Sequence, residues 1–522
     1  MNSLASADRR IAWILGAAFF ISYAYFYQAG GWGENSRFAM IRAILERHTV
    51  QIDDYSLHTG DLAIWNGHFY TDKAPGASLL ALIPVALARG IDRLVGVDPQ
   101  GYPGLAWTSY VAAVSTSGIF TVVAALSIFW LGRRWGYSRG ASCFAATAYG
   151  VATPAWCYAT LFMGHAPAAG CLALGFAAAW ATGDPANQRP LRSAWIVGLA
   201  CGWAVLTEFP SAVPVLFITG LSLSSARAAR PQDWPQIVGR VLAGGAIVAA
   251  LLLAYNVVSF GSPFRFGYLN EADPRYYHMR EGFFGIALPR VHVLGELLFG
   301  RYRGLLPIAP LIAVTPIGLL ILGRTDSGYR AAWTAAAIAV FYFLMNASYF
   351  LWDGGAVYGP RHVIPSLPFL SLGLLPLWEH GRTIGRVLLT AGWVWGAAVT
   401  LIAVSTFLQP PANTLKDPVW ELMWPAFRDG DLSLSPQTMV SRSIDTSRLR
   451  GRQQRHAAWN LGEIAGLHGH ATLVPLGVVW LAAFFLCWPL VSADRRSGQE
   501  VSSSGAGARS ERPIAGPSAL RR

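Results

Sequence analysis

The sequence predicts an all-α polytopic membrane protein with about twelve transmembrane helices. Of its 522 residues, 53% are hydrophobic and only 13% are charged, whereas soluble domains carry about 25% charged residues. The mean hydropathy is +0.38, and the apolar residues form runs that approach the length of about 20 residues needed to cross a bilayer. This composition excludes an ordinary cytosolic enzyme, a disordered chain, a collagen and a coiled coil.

The net charge and the cysteine content limit the kinds of partner and of metal site that the sequence predicts. The formal net charge is +12, but the basic residues fall between apolar runs and form no single stripe. They therefore indicate orientation in a membrane and not a nucleic-acid partner. The five cysteines lie in or beside apolar runs, without the spacing of metal ligands, which is typical of small packing residues.

The first apolar run, 11–30, follows Arg9 and Arg10. It is too long for the core of a cleaved signal peptide, and no small-residue cleavage site follows it. It is therefore predicted to remain as an anchor, with the N-terminus in the cytoplasm. Further spans, which bring the total to about twelve, are predicted at roughly 105–131, 141–158, 166–183, 193–208, 210–226, 240–260, 304–323, 331–350, 363–380, 387–408 and 471–492.

One shorter run, 76–91, is interrupted by Pro84, and its placement decides the side of every later loop. With 76–91 on the membrane surface, the short loops assigned to the cytoplasm carry twelve arginines, and the short outer turns carry one, Arg361. Because short cytoplasmic loops are enriched in Arg and Lys, 76–91 is predicted to be a juxtamembrane helix on the outer face.

This layout divides the chain into a large transmembrane module and a shorter carboxy-terminal part. The predicted parts are the module 1–408 with outer loops 31–104 and 261–303, the outer-face loop 409–470, the last transmembrane helix 471–492, and the disordered cytoplasmic tail 493–522. The sequence contains no P-loop and no dinucleotide-binding glycine motif. An ATP-driven pump and a nucleotide-sugar enzyme are both disfavoured.

The first outer loop is dense in ionisable residues. Phe38, Ile41 and Leu45 recur at helical spacing, which predicts an amphipathic helix at 35–47 lying on the membrane. The ionisable residues are Glu34, Asp53, Asp54, Asp61, Asp72, Lys73 and three histidines. Glu34 directly follows the first span and Lys73 directly precedes the surface helix, so both are candidates to handle a polar lipid at headgroup level. A merely solvated loop is the alternative interpretation.

These residues carry a family resemblance. Glu34-Asn35-Ser36-Arg37-Phe38-Ala39 and Asp72-Lys73-Ala74-Pro75 resemble the two ends of the first outer loop in GT-C glycosyltransferases of the protein O-mannosyltransferase and aminoarabinose transferase branches. That family opens the loop with Asp-Glu-x-Arg-aromatic-Ala, so Glu34 stands where the family has Asp and Asn35 where it has Glu. The resemblance covers about 1–260. It implies a GT-C-like fold and transfer of a sugar from a polyprenyl-phosphate carrier on the outer face.

Other candidate residues follow from the resemblance and from local chemistry. His165 stands where the family has a second acidic residue, and a structural histidine is the alternative. Arg303 and Arg361 lie at the outer mouths of spans, where a guanidinium suits phosphate or anchors at the headgroups. Trp352 and Asp353 offer a ring for stacking on sugar and a hydroxyl acceptor, with an interfacial aromatic belt as the alternative.

The predicted chemistry assigns a role to each group. Glu34 is the expected catalytic base, with Asp61 or Asp72 next. Lys73, then Arg361 and Arg303, are expected to hold the lipid phosphate, and Arg37 joins them as a substrate-binding residue. The resemblance implies inversion at the anomeric carbon. No strong metal-ligand spacing is present, so the metal ligands are unassigned and a divalent metal is the one candidate cofactor.

The expected partners are a polyprenyl-phosphate-linked sugar donor, an envelope acceptor (a protein, lipid or polysaccharide) and membrane lipids, with no nucleic acid. The expected location is the bacterial plasma membrane, with both termini in the cytoplasm. Two other functions fit the same pattern. One is a transporter or flippase of a polyprenyl-linked or anionic lipid, which needs the cations but no base. The other is a non-catalytic scaffold for envelope assembly.

Overall fold

The computed structural model describes residues 6–281, 284–412, 414–435, 438–440 and 457–507. The amino-terminal elements are helix α1 (Ser6–Ala24), strand β1 (Phe26–Tyr27), α2 (Trp32–Arg47), β2 (Leu62–Trp65), β3 (His68–Thr71) and α3 (Gly76–Leu94). Helix α4 (Tyr102–Ala113) continues through a π-helical turn at Val114–Gly118 into α5 (Ile119–Arg134). The described chain thus begins with one long helix, a small α/β segment and a second long helix.

The central part is almost entirely helical. Its helices are α6 (Arg139–Val151), α7 (Ala155–Ala159), α8 (His165–Thr182), α9 (Pro190–Thr207), α10 (Ala212–Ala229), α11 (Trp234–Phe260), α12 (Val291–Phe299), α13 (Leu305–Ile308), α14 (Thr315–Leu322), α15 (Tyr329–Ser348), α16 (Leu367–Ser371), α17 (Leu374–His380) and α18 (Thr383–Thr406). Small residues let these helices approach closely. A Cβ on Gly198 of α9 would lie 2.3 Å from the carbonyl oxygen of Val241 in α11.

The carboxy-terminal part returns to the first outer loop. It contains α19 (Trp424–Asp429), β4 (Trp459–Asn460), α20 (Leu461–Ile464) and α21 (Val474–Gly507). Strand β4 pairs antiparallel with β1, with Phe26 opposite Asn460 and Tyr27 opposite Trp459. This pairing fastens the end of the first long helix to the segment that precedes the last one.

Within the described residues, seven helices are long and apolar enough to cross a membrane: Tyr102–Arg134, Pro190–Thr207, Phe209–Ala229, Trp234–Phe260, Tyr329–Ser348, Thr383–Thr406 and Gly469–Asp494. The sequence predicts about twelve spans. Eleven of them fall on helical segments, and the first, 11–30, extends past the end of α1 at Ala24 and includes β1. Three of them are broken. Pro154, Pro310 and Pro365 lie at the breaks, since proline interrupts helical hydrogen bonding.

The prediction that 35–47 lies on the membrane surface is corrected. Helix α2 forms, but every residue from 34 to 43 is buried. The Ser36 hydroxyl donates to the carbonyl oxygen of Asp61 at 2.7 Å, and the Ser78 hydroxyl of α3 donates to the carbonyl oxygen of Arg37 at 3.0 Å. Strands and α3 therefore enclose the first turns of α2 within the protein.

Helix α3 occupies the segment predicted to be a juxtamembrane helix, and it is amphipathic. Ala77, Ala81, Val85 and Ala88 are buried on one face. The other face exposes the large apolar residues Ile83, Leu87, Ile91 and Leu94. An apolar stripe of this kind is suited to the headgroup boundary of a bilayer. The side of the membrane on which it lies stays a prediction.

The final helix extends into the predicted disordered tail. Helix α21 continues to Gly507, and residues 508–522 lie outside the described residues. Asp494 of α21 pairs with Arg133 at 3.5 Å and with Arg139 at 3.6 Å. These ion pairs hold α21 against α5 and α6 beyond its apolar run. The prediction of a disordered tail rests on composition, which does not indicate such contacts.

Candidate active site

The first outer loop forms one wall of a buried cavity of about 320 Å³. The opposite wall comes from residues 271–279, 349–361 and 409–412. The polar and charged groups on the lining are Glu34, Asp61, Asp72, Lys73, Glu271, Arg275, Arg361 and Gln409. Four of the residues predicted from the first loop and Arg361 from a distant one thus share a single cavity.

A tight hairpin brings Asp61 and Asp72 together. Strands β2 and β3 are antiparallel, with Leu62 opposite Thr71, so the residues just outside that pair face each other. The hairpin turns at Asn66 and Gly67, both with positive φ, at 49° and 82°. Asn-Gly is the sequence preferred for the two-residue turn in which both central residues have positive φ. Local turn chemistry therefore sets the spacing of the two carboxylates.

Lys73 contacts both of these carboxylates. Its Nζ lies 2.9 Å from Oδ2 of Asp61 and 2.5 Å from Oδ2 of Asp72. Burial opposes the charged form of Lys73, but the Coulombic attraction of Asp61 and Asp72 raises its pKa well above the ordinary value. Lys73 is therefore a permanent cation on the cavity wall.

A third carboxyl group, Glu271, lies beside this pair and was not among the predicted site residues. An isolated β-bridge between Glu271 and Ala63 places it there, and it is 1% exposed. No N–H or hydroxyl donor within the described residues reaches either of its carboxyl oxygens or Oδ1 of Asp72, and a hydrogen bond between the Glu271 and Asp72 carboxyl groups contributes to the raised pKa of Glu271. Burial and the neighbouring Asp72 charge raise the pKa of Glu271 to about 11, so this carboxyl group keeps its proton at neutral pH.

Glu34 lies in the first turn of α2 and is 3% exposed. Its Oε1 accepts a hydrogen bond of 2.5 Å from the Gln409 side-chain amide, and its Oε2 has no hydrogen-bond partner among the described residues. Burial raises the pKa of Glu34 to about 7. A carboxylate with a pKa near neutrality and one uncommitted oxygen is suited to accept a proton.

The two predicted phosphate-binding arginines differ in position. Arg361 lines the cavity and makes no ion pair within the part of the chain that the structure describes. Arg303 is 1% exposed, and its guanidinium donates to the carbonyl oxygens of Asp353, Gly355 and Val357. The predicted phosphate role of Arg303 is therefore corrected, because its donors are used to shape the loop that carries the cavity lining at 354–357.

Trp352 and Asp353 also lie off the cavity lining. Trp352 packs against Val293, Leu297 and Ala347. Oδ1 of Asp353 accepts a hydrogen bond from the backbone N–H of Gly355 at 3.3 Å. Both side chains are thus engaged in local structure, and their predicted sugar contacts stay predictions.

His165 and Arg37 meet at another residue that sequence reasoning missed, Glu208. Oε1 of Glu208 lies 3.5 Å from Nδ1 of His165 and 3.5 Å from a terminal nitrogen of Arg37. Burial raises the pKa of Glu208. The cluster lies behind the residues that line the cavity, with Arg37 also donating to the carbonyl oxygen of Gly33 at 2.9 Å. A carboxylate contributed by the end of α9 thus stands beside the histidine at the family's acidic position.

Among the residues that the structure describes, no group of three or more His, Cys, Asp or Glu side chains is arranged to hold a metal ion. Asp429 and Asp431 flank Gly430, which has φ of 76° at the end of α19, as in an ordinary helix-terminating turn.

The arrangement of helices is similar to that of solved membrane glycosyltransferases. ArnT from Cupriavidus metallidurans, bound to undecaprenyl phosphate, matches with a TM-score of 0.50 and 16% identity, over 93% of this chain and 76% of the ArnT chain. The fold is similar to that of the GT-C glycosyltransferases. With its long apolar helices, the chain is a multi-pass membrane protein. The GT-C expectation from the first outer loop is thereby confirmed at the level of fold.

Two further GT-C structures align less closely. Mycobacterial arabinofuranosyltransferase AftD has a TM-score of 0.44 and 13% identity, over 76% of this chain and 28% of its own. The oligosaccharyltransferase AglB from Archaeoglobus fulgidus, in complex with an inhibitory peptide and a dolichol-phosphate, has a TM-score of 0.43 and 11% identity, over 83% of this chain and 60% of its own. No family model matches this chain, and no curated protein matches it.

Proposed function

We propose that the protein is an integral-membrane glycosyltransferase that moves a sugar from a polyprenyl-phosphate carrier to an envelope acceptor on the outer face of the membrane. The observation that carries the proposal is that one cavity contains both a candidate proton acceptor and two cations. Glu34 has a pKa of about 7 and an uncommitted oxygen, and Lys73 and Arg361 line the same cavity as cations.

In the proposed reaction, Oε2 of Glu34 takes the proton of the acceptor hydroxyl. The acceptor oxygen forms a bond to the anomeric carbon, and the bond between that carbon and the phosphate oxygen breaks. The electron pair leaves with the carrier phosphate, which gains negative charge. The single displacement inverts the anomeric configuration.

The two cations have different tasks in this reaction. Arg361 has no competing carboxylate within ion-pair distance among the described residues. Its Nε donates to Nε2 of His362 at 3.3 Å, and its two terminal nitrogens are the donors that would take the phosphate. Lys73 is shared by Asp61 and Asp72, so its charge is largely offset by these carboxylates and its attraction for the phosphate is the weaker of the two. Both stabilise the charge that develops on the leaving phosphate.

A polyprenyl carrier suits the surroundings of the cavity. Helix α3 begins at Gly76, three residues after Lys73, and exposes an apolar stripe from Ile83 to Leu94. That stripe would hold the outer loop at the headgroup boundary, where the phosphate of a lipid carrier lies. The ArnT structure of the same fold is bound to undecaprenyl phosphate, which supports this class of donor.

The test is a comparison of envelope glycans and lipid-linked sugars by mass spectrometry in a deletion strain. The strain is complemented with the parent, with Glu34→Gln or with the control Asp54→Asn, which alters an exposed carboxylate of the same loop. The parent and the control should restore one modified acceptor, and Glu34→Gln should leave the lipid-linked sugar accumulated on the outer face.

A normal acceptor pattern with Glu34→Gln, at equal protein level, would contradict the assignment of the base. A different result would support the flippase, which moves the carrier and needs no base. In that case the deletion strain would lack the lipid-linked sugar on the outer face, and Glu34→Gln would restore it there.

A further inference from the structure

Gln409 lies where the end of α18 meets the first outer loop. It follows the buried residues Phe407 and Leu408, is itself buried, and lines the cavity. Sequence reasoning assigns no role to this residue, which opens the 409–470 segment. Its side-chain amide donates to Oε1 of Glu34 at 2.5 Å, although 375 positions separate the two residues.

We propose that Gln409 is a positioning residue for Glu34, holding Oε1 so that Oε2 is the oxygen that takes the acceptor proton. The inference rests on the proposed function, in which Glu34 is the base. An amide N–H donates and cannot accept, so Oε1 is occupied as an acceptor. Oε2 has no hydrogen-bond partner among the described residues. The two oxygens of one carboxylate are thereby made different.

The chain leaves space for this contact at Gly31. A Cβ on Gly31 would lie 2.4 Å from the amide nitrogen of Gln409 and 2.6 Å from Oε2 of Glu34. Both separations are far below van der Waals contact. The backbone of Gly31 is extended, with φ of −160°, so the need for glycine here is steric. A side chain at position 31 would therefore displace the ends of the Gln409 and Glu34 side chains from their present positions.

The amide also acts on the proton affinity of Glu34. Burial raises the pKa of Glu34 to about 7, and a donor to the charged form of a carboxylate acts in the opposite direction. Removal of the amide is therefore expected to raise the pKa further. The charged groups that face Glu34 are Arg37, Asp61 and Arg361, and they are unchanged by a substitution at position 409.

A matched control exists beside the same end of α18. Gln28 is buried like Gln409, and its amide donates to the carbonyl oxygen of Val404 in α18 at 2.7 Å. Gln28→Met and Gln409→Met each remove one buried side-chain amide that lies near the end of α18. The amide of Gln28 donates to a backbone carbonyl, whereas the amide of Gln409 donates to a carboxylate. The two variants separate general loss of packing from loss of the Glu34 contact.

The first measurement is the pH dependence of kcat for sugar transfer in reconstituted vesicles. Transfer requires ionised Glu34, so kcat rises with pH through its pKa. In Gln409→Met the midpoint should move up by about one to two pH units, with a loss of about 10- to 100-fold in kcat below the midpoint. Gln28→Met should keep the parent midpoint. An unchanged midpoint in Gln409→Met would overturn the proposal.

The second measurement needs no activity. Thermal unfolding in detergent is followed against pH for the parent and Gln409→Met, each with and without Glu34→Gln. The quantity compared is the difference in unfolding temperature between proteins with and without Glu34→Gln. This difference should change with pH at a higher midpoint when Gln409→Met is also present. If it titrates there and no variant transfers sugar, the proposed function fails and the Gln409 contact stands.

If the Glu34 titration is the same in both backgrounds, the positioning role is overturned, whatever the activity. Should Gln409→Met not fold, Gln409→Asn serves in its place, because an amide shorter by one methylene cannot reach Oε1. It is expected to shift the midpoint in the same direction, and an unchanged midpoint in a folded Gln409→Asn protein would equally overturn the role.

Discussion

Helix α2 carries two enclosed glutamates, one near each end. Glu34 is in its first turn and Glu46 in its last. The Glu46 carboxylate, with its side chain 5% exposed, accepts hydrogen bonds from Arg42 at 3.1 Å, Arg89 at 2.6 Å and the Tyr55 hydroxyl at 2.8 Å. Glu34 accepts one hydrogen bond from a neutral amide. The same residue type on the same helix thus has two opposite environments.

The difference shows that partners, and not enclosure alone, decide what a buried carboxylate does. Burial raises the pKa of Glu34 to about 7. Burial acts in the same direction on Glu46, but the hydrogen bonds from Arg42, Tyr55 and Arg89 outweigh it and lower the pKa. Glu46 is therefore a permanent anion that ties α2 to α3, and Glu34 is able to exchange a proton.

The largest expected effect tests the Glu34 side of this comparison. Glu34→Gln keeps the shape of the side chain but cannot accept a proton, so kcat for transfer should fall by roughly 10²–10⁴-fold. Thermal stability at pH 7.5 should stay at the parental level or rise, because the variant no longer buries a charge. Near-normal turnover in folded Glu34→Gln would move the base to Asp61 or Asp72.

Much of the first outer loop is predictable from sequence because its chemistry is local. The Asn66-Gly67 turn fixes the register of β2 and β3, and Lys73 follows that hairpin directly. Local patterns therefore predict that Asp61, Asp72 and Lys73 share a site. They do not predict Glu271 or Gln409, whose approach to this loop depends on packing between segments more than 190 positions apart.

Arg303 and Arg361 show a second limit of prediction from sequence. Arg303 and Arg361 occupy similar positions in the sequence pattern, each beside the outer end of a predicted span. In the structure the carbonyl oxygens of Asp353, Gly355 and Val357 converge on Arg303, whereas Arg361 faces the cavity. Carbonyl direction is a property of the folded loop, so residue type alone could not tell the two apart.

The next effect concerns the Glu46 side of the comparison. Glu46→Gln leaves the buried guanidinium groups of Arg42 and Arg89 without their counter-charge, so the protein should lose about 3 kcal/mol of stability, and kcat per folded molecule should be retained. Because the folded pKa of Glu46 is lowered, its stabilisation is present above its unfolded pKa of about 4 and is lost as the pH falls through the folded value.

Unfolding of the parent and Glu46→Gln in detergent at several pH values checks this prediction. The stability difference should narrow below about pH 4. A constant difference over the whole range would show that Glu46 contributes by packing and not by charge.

A smaller effect is expected at the two arginines. Arg361→Gln removes a charge-assisted contact to the donor phosphate, so the donor KM should rise by about 10- to 100-fold, which corresponds to about 1.5–3 kcal/mol. Arg303→Lys cannot reproduce a fork that reaches three carbonyl oxygens, so it should lower the unfolding temperature and change the donor KM less. If Arg361→Gln and Arg303→Lys raised the donor KM equally and were equally stable, the two arginines would not have different roles.

The smallest effect is expected at Glu271, and it sharpens the comparison with Glu34. Glutamine has nearly the shape of a protonated glutamate and carries no charge. Because burial and Asp72 raise the pKa of Glu271 to about 11, Glu271→Gln replaces one neutral group by another at pH 7. The change in stability should stay within about 0.5 kcal/mol, and kcat should change less than threefold, against the large loss for the identical substitution at Glu34. Unfolding and transfer at pH 7 measure both. A loss in Glu271→Gln that approaches the loss in Glu34→Gln would mean that Glu271 is ionised in the working enzyme, and that the cavity holds two negative carboxylates beside Lys73 in addition to Asp61.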